Sequence, residues 1–353
     1  MTAAAGVEAI GVDLGGTKML IGVVEAAAGA TGGAEGRSAG GEDRLGAEWS
    51  ATQANDTKPQ VHHRWEGSSA AESADELLDR LGRQLGEAQR SRPEVGAAGL
   101  GIPCTVDRKR GVAVSSVHLP LVDVPIGELL GQRTGLPVFI DNDANVAAIG
   151  EHRFGAARGA RNVVMLTIGT GIGGGLILDG RPYRGSTGAG AELGHMVIEL
   201  DGPLGQGSCP SRGCVEALAS GTAIGIEGRL AAESEPESAL GLALASGVEI
   251  DARVVLSAAQ EGDRAALGVL QLVGRRLGAA LAGLANAFEP DVIVLGGGAM
   301  AAGDLLLVPA TEEMRARALP PQNKTPVYAA ALGADAGMIG AAVMAQAELE
   351  AAA

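Results

Sequence analysis

Two stretches of the chain share one pattern, in which a short apolar strand runs into a glycine turn and out into a second strand. The first, AIGVDLGGTKMLIGVV, lies within residues 8–25, and the second, NVVMLTIGTGIGGGLILDG, begins at residue 162. Apolar, β-branched runs on both sides of a glycine cluster are typical of a β-hairpin. Because the same hairpin opens both halves of a 353-residue chain, the sequence predicts two duplicated α/β domains with a cleft between them.

The segments after each hairpin predict the other elements and the domain limits. Ser73 to Glu76 form a capping box ahead of a helix with a leucine face. Strands are predicted at 97–102, 137–141, 163–168, 291–298 and near 326–331, and helices at 144–155, 214–231, 234–246, 253–259, 263–288 and from 335. Residues 26–60 show no sustained hydrophobic periodicity, which predicts a surface insertion or a lid. The predicted domains are 1–146 with 335–353, and 147–334.

Composition excludes several classes of function. The net charge of −15, without a Lys/Arg run, argues against nucleic-acid binding. The N-terminus resembles no export signal, and the apolar stretch at 277–288 is too short to span a bilayer. We therefore expect a cytoplasmic protein without a membrane partner. In a reducing compartment, Cys209 and Cys214 are interpreted as metal ligands or buried thiols rather than as a disulfide.

Gly169, Gly171 and Gly174 have the spacing of a dinucleotide-binding loop, G-x-G-x-x-G. That fingerprint requires the glycines to open a helix, whose N-terminus holds the pyrophosphate. Here they lead into LILDG, which alternates like a strand, so the dinucleotide interpretation is rejected. Residues without a Cβ still let backbone N–H groups converge on an anion, which leaves a phosphate cradle or a plain turn.

Asp143 stands where the strand PVFID gives way to an apolar helix. A carboxylate there can act as a general base or can cap the helix. Asn142 offers a donor and an acceptor, which suits a vicinal diol, or it is a turn residue. Asp13 and the Thr17–Lys18 pair border the first glycine turn, and Lys18 is either a phosphate contact or a solvated charge.

Glu192 and His195 are three residues apart, which allows both side chains to face one pocket or to form a surface pair. Cys209 and Cys214 follow within twenty residues of His195. A histidine with nearby cysteines suits tetrahedral zinc, so His195, Cys209 and Cys214 are the candidate metal ligands.

Six segments together resemble the ROK family of sugar kinases, a branch of the actin-like ATPase superfamily that also includes hexokinase. They are DLGGTK at 13–18, DNDANVAAIGE at 141–151, TIGTGIGGG at 167–175, AELGHM at 191–196 with CPSRGCVEALAS at 209–220, LGGGAM at 295–300 and GADAGMIGAA at 333–342. The resemblance implies two actin-like ATPase domains of the ribonuclease H-like type, with a nucleotide and sugar cleft between them. It also implies that the protein uses ATP and Mg²⁺ to phosphorylate a hexose.

The resemblance also implies roles for individual residues. Asp143 is the base that receives the proton of the sugar 6-hydroxyl, and Asp13 orients hydrated Mg²⁺. The sugar contacts are Asn142, Asp143, Glu192, His195 and Glu216. The nucleotide contacts are Asp13, Gly15, Gly16, Thr17, Lys18, Thr170, Gly171, Gly297 and Gly298. Zinc is held by His195, Cys209 and Cys214, and the assembly is a homodimer or homotetramer.

The chain departs from the family pattern at three places. Family members of this type carry three cysteines after the histidine, whereas Gly205 or Gly207 stands here in the place of the first, so zinc affinity should fall. Cys104 replaces a usual glycine, and His118 stands where asparagine is common. Both positions are expected near the sugar, so the preferred hexose is left open.

The leading hypothesis is a glucokinase. The alternatives are kinases for N-acetylmannosamine, N-acetylglucosamine, fructose or allose, polyphosphate as the donor, and a non-catalytic sugar sensor. A sugar-responsive repressor is disfavoured because the first strand starts near residue 8, ahead of which a DNA-binding module would not fit.

Overall fold

The computed structural model describes residues 8–25, 59–116, 118–207 and 209–352. The chain divides into two compact units, the first formed by Met1–Gly159 with Asp335–Ala353 and the second by Ala160–Ala334. The predicted insertion over 26–60 lies outside the described residues up to position 58. The predicted domain limit at 146 falls inside the helix Asp143–Phe154, which contains no proline and continues to its end within the first unit.

Thirteen strands and ten α-helices are found in the described residues. The strands are β1 (Glu8–Leu14), β2 (Lys18–Glu25), β3 (Gln60–Ser68), β4 (Ala97–Ile102), β5 (Cys104–Asp107), β6 (Val112–Ser116), β7 (Val122–Val124), β8 (Val138–Asn142), β9 (Val163–Ile168), β10 (Ile172–Leu178), β11 (Arg181–Tyr183), β12 (Val292–Gly296) and β13 (Val327–Ala329). The helices are α1 (Ala74–Ser91), α2 (Ile126–Thr134), α3 (Asp143–Phe154), α4 (Val215–Ala219), α5 (Gly221–Ser234), α6 (Ala239–Ala245), α7 (Ala252–Gln260), α8 (Arg264–Phe288), α9 (Asp304–Arg317) and α10 (Ala336–Ala352).

The two units contain five-stranded sheets of the same topology. The order is β3-β2-β1-β4-β8 in the first unit and β11-β10-β9-β12-β13 in the second. In each sheet an antiparallel hairpin is followed by two strands parallel to its first strand. The predicted duplication of an α/β domain is therefore confirmed.

The central strands are continuous apolar runs because both faces of each sheet are covered. Strands β4 and β12 are buried at every position, as expected for parallel strands between layers. Helix α10 packs closely on the first sheet, since a Cβ at Gly11 or Gly99 would collide with the backbone oxygens of Met338 and Ala341. The C-terminal helix is thereby fixed against the strand that carries Asp13.

Several predicted elements differ in detail. The predicted helix 214–231 is two helices, α4 and α5, because Ser220 turns the chain and its Oγ accepts a hydrogen bond from Ala223 N. The predicted helix 234–246 shortens to α6. Strand β3 was not predicted, because its sequence QVHHRWEGS is largely polar, as befits an edge strand.

Within the described residues, one helix, α8, is long and apolar enough to cross a membrane. In its most apolar window 61% is buried inside the protein. Its buried residues belong to the hydrophobic core of the second unit. The helix is thus a core helix by its packing.

Candidate functional site

The predicted site residues fall into two groups, one in each unit. The first unit carries Asp13, Gly15, Gly16, Thr17, Lys18, Asn142 and Asp143, and the second carries Thr170, Gly171, Glu192, His195, Cys209, Cys214, Glu216, Gly297 and Gly298.

The first glycine turn joins β1 to β2. Its backbone is closed by a hydrogen bond from Gly15 N to Lys18 O of 2.8 Å, and Thr17 at its tip is exposed. A Cβ at Gly16 would come within 2.9 Å of the Cβ of His118, so this histidine lies directly against the turn. The turn therefore presents backbone groups with no side chain at Gly16.

Asp13 lies near the end of β1, beside the start of α10. A Cβ at Gly337 would come within 2.5 Å of the Asp13 carboxyl carbon, so a larger residue there would displace the Asp13 carboxylate. Burial and the nearby carboxylate of Asp143 raise the pKa of Asp13 to about 7, while Lys18 lowers it. The fold thus brings two acidic side chains, far apart in sequence, close enough to repel each other.

Asn142 and Asp143 form the junction between β8 and α3. The side chain of Asn142 caps the helix, since its Oδ1 accepts hydrogen bonds from Ala144 N (2.9 Å) and Asn145 N (3.3 Å). The capping role considered for Asp143 thus belongs to Asn142, and the cap occupies the acceptor of the Asn142 amide. The Asp143 Oδ1 accepts a hydrogen bond from the adjoining Ala144 N at 2.9 Å.

Asp141 is a buried carboxylate that the sequence analysis did not single out. Its Oδ1 accepts hydrogen bonds from Asn142 N (2.9 Å) and from Asn145 Nδ2 (3.1 Å). Its Oδ2 lies 3.3 Å from Arg108 Nε. Asp141 lies near the C-terminal end of β8. An acid that follows an apolar strand was the available signal, because a buried carboxylate must find a cationic partner.

Lys18 forms an ion pair across the sheet. Its Nζ lies 2.7 Å from Glu66 Oε1 on β3, and both side chains are about half exposed. This partner explains the lowered pKa of Glu66, for which the hydrogen bond from Lys18 is the leading cause. Lys18 is thus a paired surface charge beside the turn.

The second glycine turn, at 169–171, is held by the segment that joins α4 to α5. Gly221 N donates to Gly169 O at 2.8 Å, and Thr222 Oγ1 donates to Thr170 O at 2.8 Å. The turn closes on itself through Gly169 N and Gly171 O, 2.9 Å apart. Its carbonyl oxygens are thereby engaged by the protein.

Glu216 reaches the same turn from the first residues of α4. Its Oε2 accepts a hydrogen bond from Ile172 N at 2.8 Å, and a Cβ at Gly171 would collide with that oxygen. The family resemblance implies a sugar contact for Glu216 and gives no indication of this bond. Only the fold reveals it, since 44 residues separate the two partners.

Glu192 and His195 lie on a turn that ends in the short 3-10 helix Leu193–His195. Their side chains approach to 3.9 Å. Burial raises the pKa of Glu192, with Glu216 adding to that rise and His195 opposing it. The two predicted sugar-contacting acids of this unit and the histidine therefore form one electrostatic cluster.

His195, Cys209 and Cys214 come together as predicted for a metal site. One donor atom from each lies within 4.8 Å of the others. Two sulfurs on a tetrahedral zinc ion are about 3.8 Å apart, so a small side-chain movement would bring this donor set onto the metal. Gly205 adjoins the cluster, since a Cβ added at this glycine would lie 2.6 Å from Cys209 Sγ. The residues present therefore fit a three-ligand zinc site.

The glycines after β12 adjoin the second turn. Gly297 has a φ of 88° and packs on the backbone of Ile168, where a Cβ would approach its oxygen to 2.5 Å. A Cβ at Gly298 would meet nothing within 4 Å. Gly297 is thus required by the fold, whereas Gly298 leaves open space beside the second glycine turn.

Comparison with known proteins supports this architecture. A glucokinase of Thermotoga maritima is 40% identical over 246 residues, which cover 69% of this chain and 77% of that protein. The crystal structure of a ROK family glucokinase from Streptomyces griseus, in complex with glucose and AMPPNP, has a TM-score of 0.77 at 32% identity and covers 96% of this chain and 99% of that one. A putative xylose repressor of Caldicellulosiruptor is 32% identical over 258 residues, 71% of this chain and 63% of that protein.

The duplicated sheets, each with a glycine turn after the first strand of its hairpin, define a protein with the two-domain actin-like kinase fold. The ROK family model matches residues 44–348. The chain belongs to the ROK family, which confirms the resemblance drawn from its motifs.

Proposed function

We propose that this protein is an ATP-dependent glucokinase, which transfers the γ-phosphoryl group of ATP to the 6-hydroxyl of glucose. The observation that carries the proposal is the closeness of Asp13 and Asp143 next to the first glycine turn: Asp13 lies opposite Gly101 across β1 and β4, and a Cβ at Gly101 would lie 3.3 Å from the Asp143 Cα. The chain is also related to glucokinases over most of its length. A base and a phosphate-binding turn within one unit are what phosphoryl transfer to a hydroxyl requires.

Asp143 acts as the general base. The 6-hydroxyl oxygen attacks the γ-phosphorus, its proton passes to the Asp143 carboxylate, and the bond from the γ-phosphorus to the bridging oxygen breaks to leave ADP. The position of Asp143 at the first turn of α3 supports this role, because the cap supplied by Asn142 fixes the backbone there.

The two glycine turns bind the phosphates of ATP. Gly15, Gly16 and Thr17 serve in the first unit, and Thr170 and Gly171 serve in the second, with Gly297 and Gly298 next to the nucleotide. Backbone N–H groups at such turns stabilise anions without reorganising. Asp13 would hold the water shell of Mg²⁺ bound with ATP, and that ion would supply positive charge to neutralise the phosphates.

Each unit carries side chains that we assign to the sugar. In the first unit, Asn142 offers its amide N–H, since its oxygen caps α3. In the second unit, Glu192 and Glu216 accept hydrogen bonds, and His195 meets the sugar through one ring nitrogen. Zinc held by His195, Cys209 and Cys214 would fix the orientation of that ring.

We further propose that the protein acts in the cytoplasm as a homodimer or homotetramer and binds neither nucleic acid nor a membrane. The net charge of −15 supports the absence of a nucleic-acid partner.

Two departures from the family pattern near the site, His118 and Cys104, favour a second candidate, a ROK kinase for another acceptor. His118 lies against the first glycine turn. Burial, with the nearby charge of Asp143 adding to it, raises the pKa of the Cys104 thiol to about 12. N-acetylmannosamine, N-acetylglucosamine, fructose and allose are the acceptors to compare, with polyphosphate as the alternative donor.

An assay of sugar phosphate formation over these sugars, with ATP or with polyphosphate as the donor and with ADP release followed for ATP, tests the proposal. We expect the highest kcat/KM with glucose and ATP. A higher value with another hexose would establish the second candidate. ADP release that no sugar stimulates would leave a sugar sensor and overturn the kinase proposal.

A further inference from the structure

Glu216 connects two sites that are separate in sequence. It follows the candidate metal ligand Cys214 by two residues, and its Oε2 accepts the Ile172 N–H directly after the second glycine turn. We propose that Glu216 is a positioning residue for the nucleotide phosphates, which sets the backbone of the 169–172 turn and couples the His195–Cys209–Cys214 cluster to nucleotide affinity. This inference rests on the proposed function, because it takes the turn to bind the phosphates.

The contact is tight on the side of the turn. The Glu216 carboxylate lies where a Cβ of residue 171 would be, so only glycine allows this approach. The hydrogen bond of 2.8 Å joins the Ile172 N–H to the Glu216 Oε2 and fixes the distance between the turn and α4. The position of Ile172 N therefore depends on the position of α4.

The position of α4 depends in turn on the metal-ligand segment. Cys214 is the residue before α4, it is buried, and it forms an antiparallel bridge with Val197, two residues after His195. Val215 N donates to Met196 O at 2.9 Å. A change in the cluster is thus transmitted through one short helical turn to Glu216.

The segment that follows α4 also forms hydrogen bonds to the second glycine turn. Ser220 caps α5, and its Oγ accepts a hydrogen bond from Gln206 Nε2 at 2.8 Å. Gln206 lies in the loop between His195 and Cys209. Gly221 and Thr222 then bind the carbonyl oxygens of the turn. Glu216 differs from them because it engages an N–H group rather than a carbonyl oxygen.

Coupling of this kind is reciprocal: if an intact cluster favours the phosphate-binding form of the turn, nucleotide favours the intact cluster by the same factor. The test is the affinity for MgADP, measured by calorimetry without sugar. Three variants separate the reach of the side chain from its charge. Glu216→Ala removes the acceptor, Glu216→Asp keeps the charge and shortens the side chain, and Glu216→Gln keeps an acceptor oxygen without the charge.

We expect Glu216→Ala and Glu216→Asp to bind MgADP about tenfold more weakly and Glu216→Gln to stay within about threefold of the parent protein. Glu233→Gln is the control and should keep the parent affinity, because Glu233 is exposed on α5, pairs with Arg229 and lies outside the turn and the cluster. Amide hydrogen exchange of Ile172 should accelerate in the Ala and Asp variants. Parent-like affinity in both would overturn the positioning role, whereas a parent protein that binds no MgADP would instead overturn the proposed function.

A separate experiment tests the coupling between the metal cluster and MgADP affinity. Zinc is stripped with a chelator, the chelator is dialysed away, and Mg²⁺ is restored before MgADP is titrated. We expect at least a threefold loss of affinity in the parent protein, recovered with added Zn²⁺, and no change in Glu216→Ala. A parent affinity that is indifferent to stripping and to added Zn²⁺ would refute the coupling.

Discussion

The guanidinium of Arg108 lies 3.3 Å from the buried carboxylate of Asp141, two residues before the proposed base Asp143. The same arginine also pairs with Glu348 on α10. Removing one partner of a buried pair leaves an uncompensated charge, so we expect Arg108→Ala to destabilise the protein by about 3 kcal/mol. Equilibrium unfolding in urea measures this loss.

The double variant Arg108→Ala/Asp141→Asn distinguishes charge from packing. The Asn side chain keeps an acceptor oxygen for Asn142 N without the charge, so part of the stability should return. The control is Arg110→Ala, since Arg110 is exposed and its pair with Asp107 spans 3.7 Å. Equal losses in Arg108→Ala and Arg110→Ala would contradict this account of the pair.

The raised pKa of Asp13 predicts a pH-dependent stability in protein free of nucleotide and Mg²⁺. Burial and Asp143 raise this pKa from 3.8 to about 7, so the folded state holds a proton that the unfolded state releases. Stability from this group is complete below about pH 4 and is lost as the pH rises through about 7. The Asp13→Asn variant should show a flatter profile over this interval.

Asp143→Asn provides a second check on the same pair. Without the neighbouring charge the pKa of Asp13 should fall towards its ordinary value, although burial keeps part of the shift. Glu87→Gln, at an exposed position of α1, is the control and should leave the profile unchanged. A parent profile that matches Asp13→Asn between pH 4 and 7 would show that Asp13 does not carry the effect.

Gly337 and Gly283 are both helical glycines and give a matched pair of substitutions. Alanine at 337 would place Cβ 2.5 Å from the Asp13 carboxyl carbon, whereas at the exposed Gly283 it would meet nothing within 4 Å. We expect Gly283→Ala to stabilise the protein by about 0.5–1 kcal/mol. Gly337→Ala should displace Asp13 and lower kcat at least tenfold. Thermal unfolding measures the stability of Gly283→Ala, and steady-state kinetics measure the kcat of Gly337→Ala. A fully active Gly337→Ala enzyme would contradict the placement of Asp13.

The hairpins and buried strands could be predicted from the sequence because their signal is local. Strand β4 has the predicted bounds 97–102, since an apolar run between turns admits little else. The polar edge strand β3 was missed, because its partner β2 rather than its own pattern makes it a strand. The break between α4 and α5 was missed as well, because it depends on the tertiary position of Ser220.

Candidate site residues could be recognised by type and motif, but their partners could not. The family pattern marked Glu216 and Asn142, yet the hydrogen bonds to Ile172 N and to the start of α3 follow from packing. Arg108 carries no motif, and its importance appears only when the β5–β6 turn meets Asp141. Long-range pairs of this kind need the fold before they can be read.

The cluster of His195, Cys209 and Cys214 predicts a zinc content of about one ion per chain in protein purified without chelator. Cys209→Ser removes one of three ligands and should lower zinc affinity at least tenfold, measured by competition with a chromophoric chelator. The matched control is Cys104→Ser, a buried thiol outside this cluster. Full zinc occupancy in Cys209→Ser at equal chelator concentration would contradict the ligand assignment.

Asp143 as the base is the central claim, and the single-turnover rate of glucose 6-phosphate formation from ATP tests it most directly. For Asp143→Asn, which keeps the size of the side chain and removes its basicity, we predict a rate lower by roughly 10²–10⁴ with glucose binding retained. A variant that forms product within about threefold of the parent rate would contradict the assignment of Asp143 as the general base.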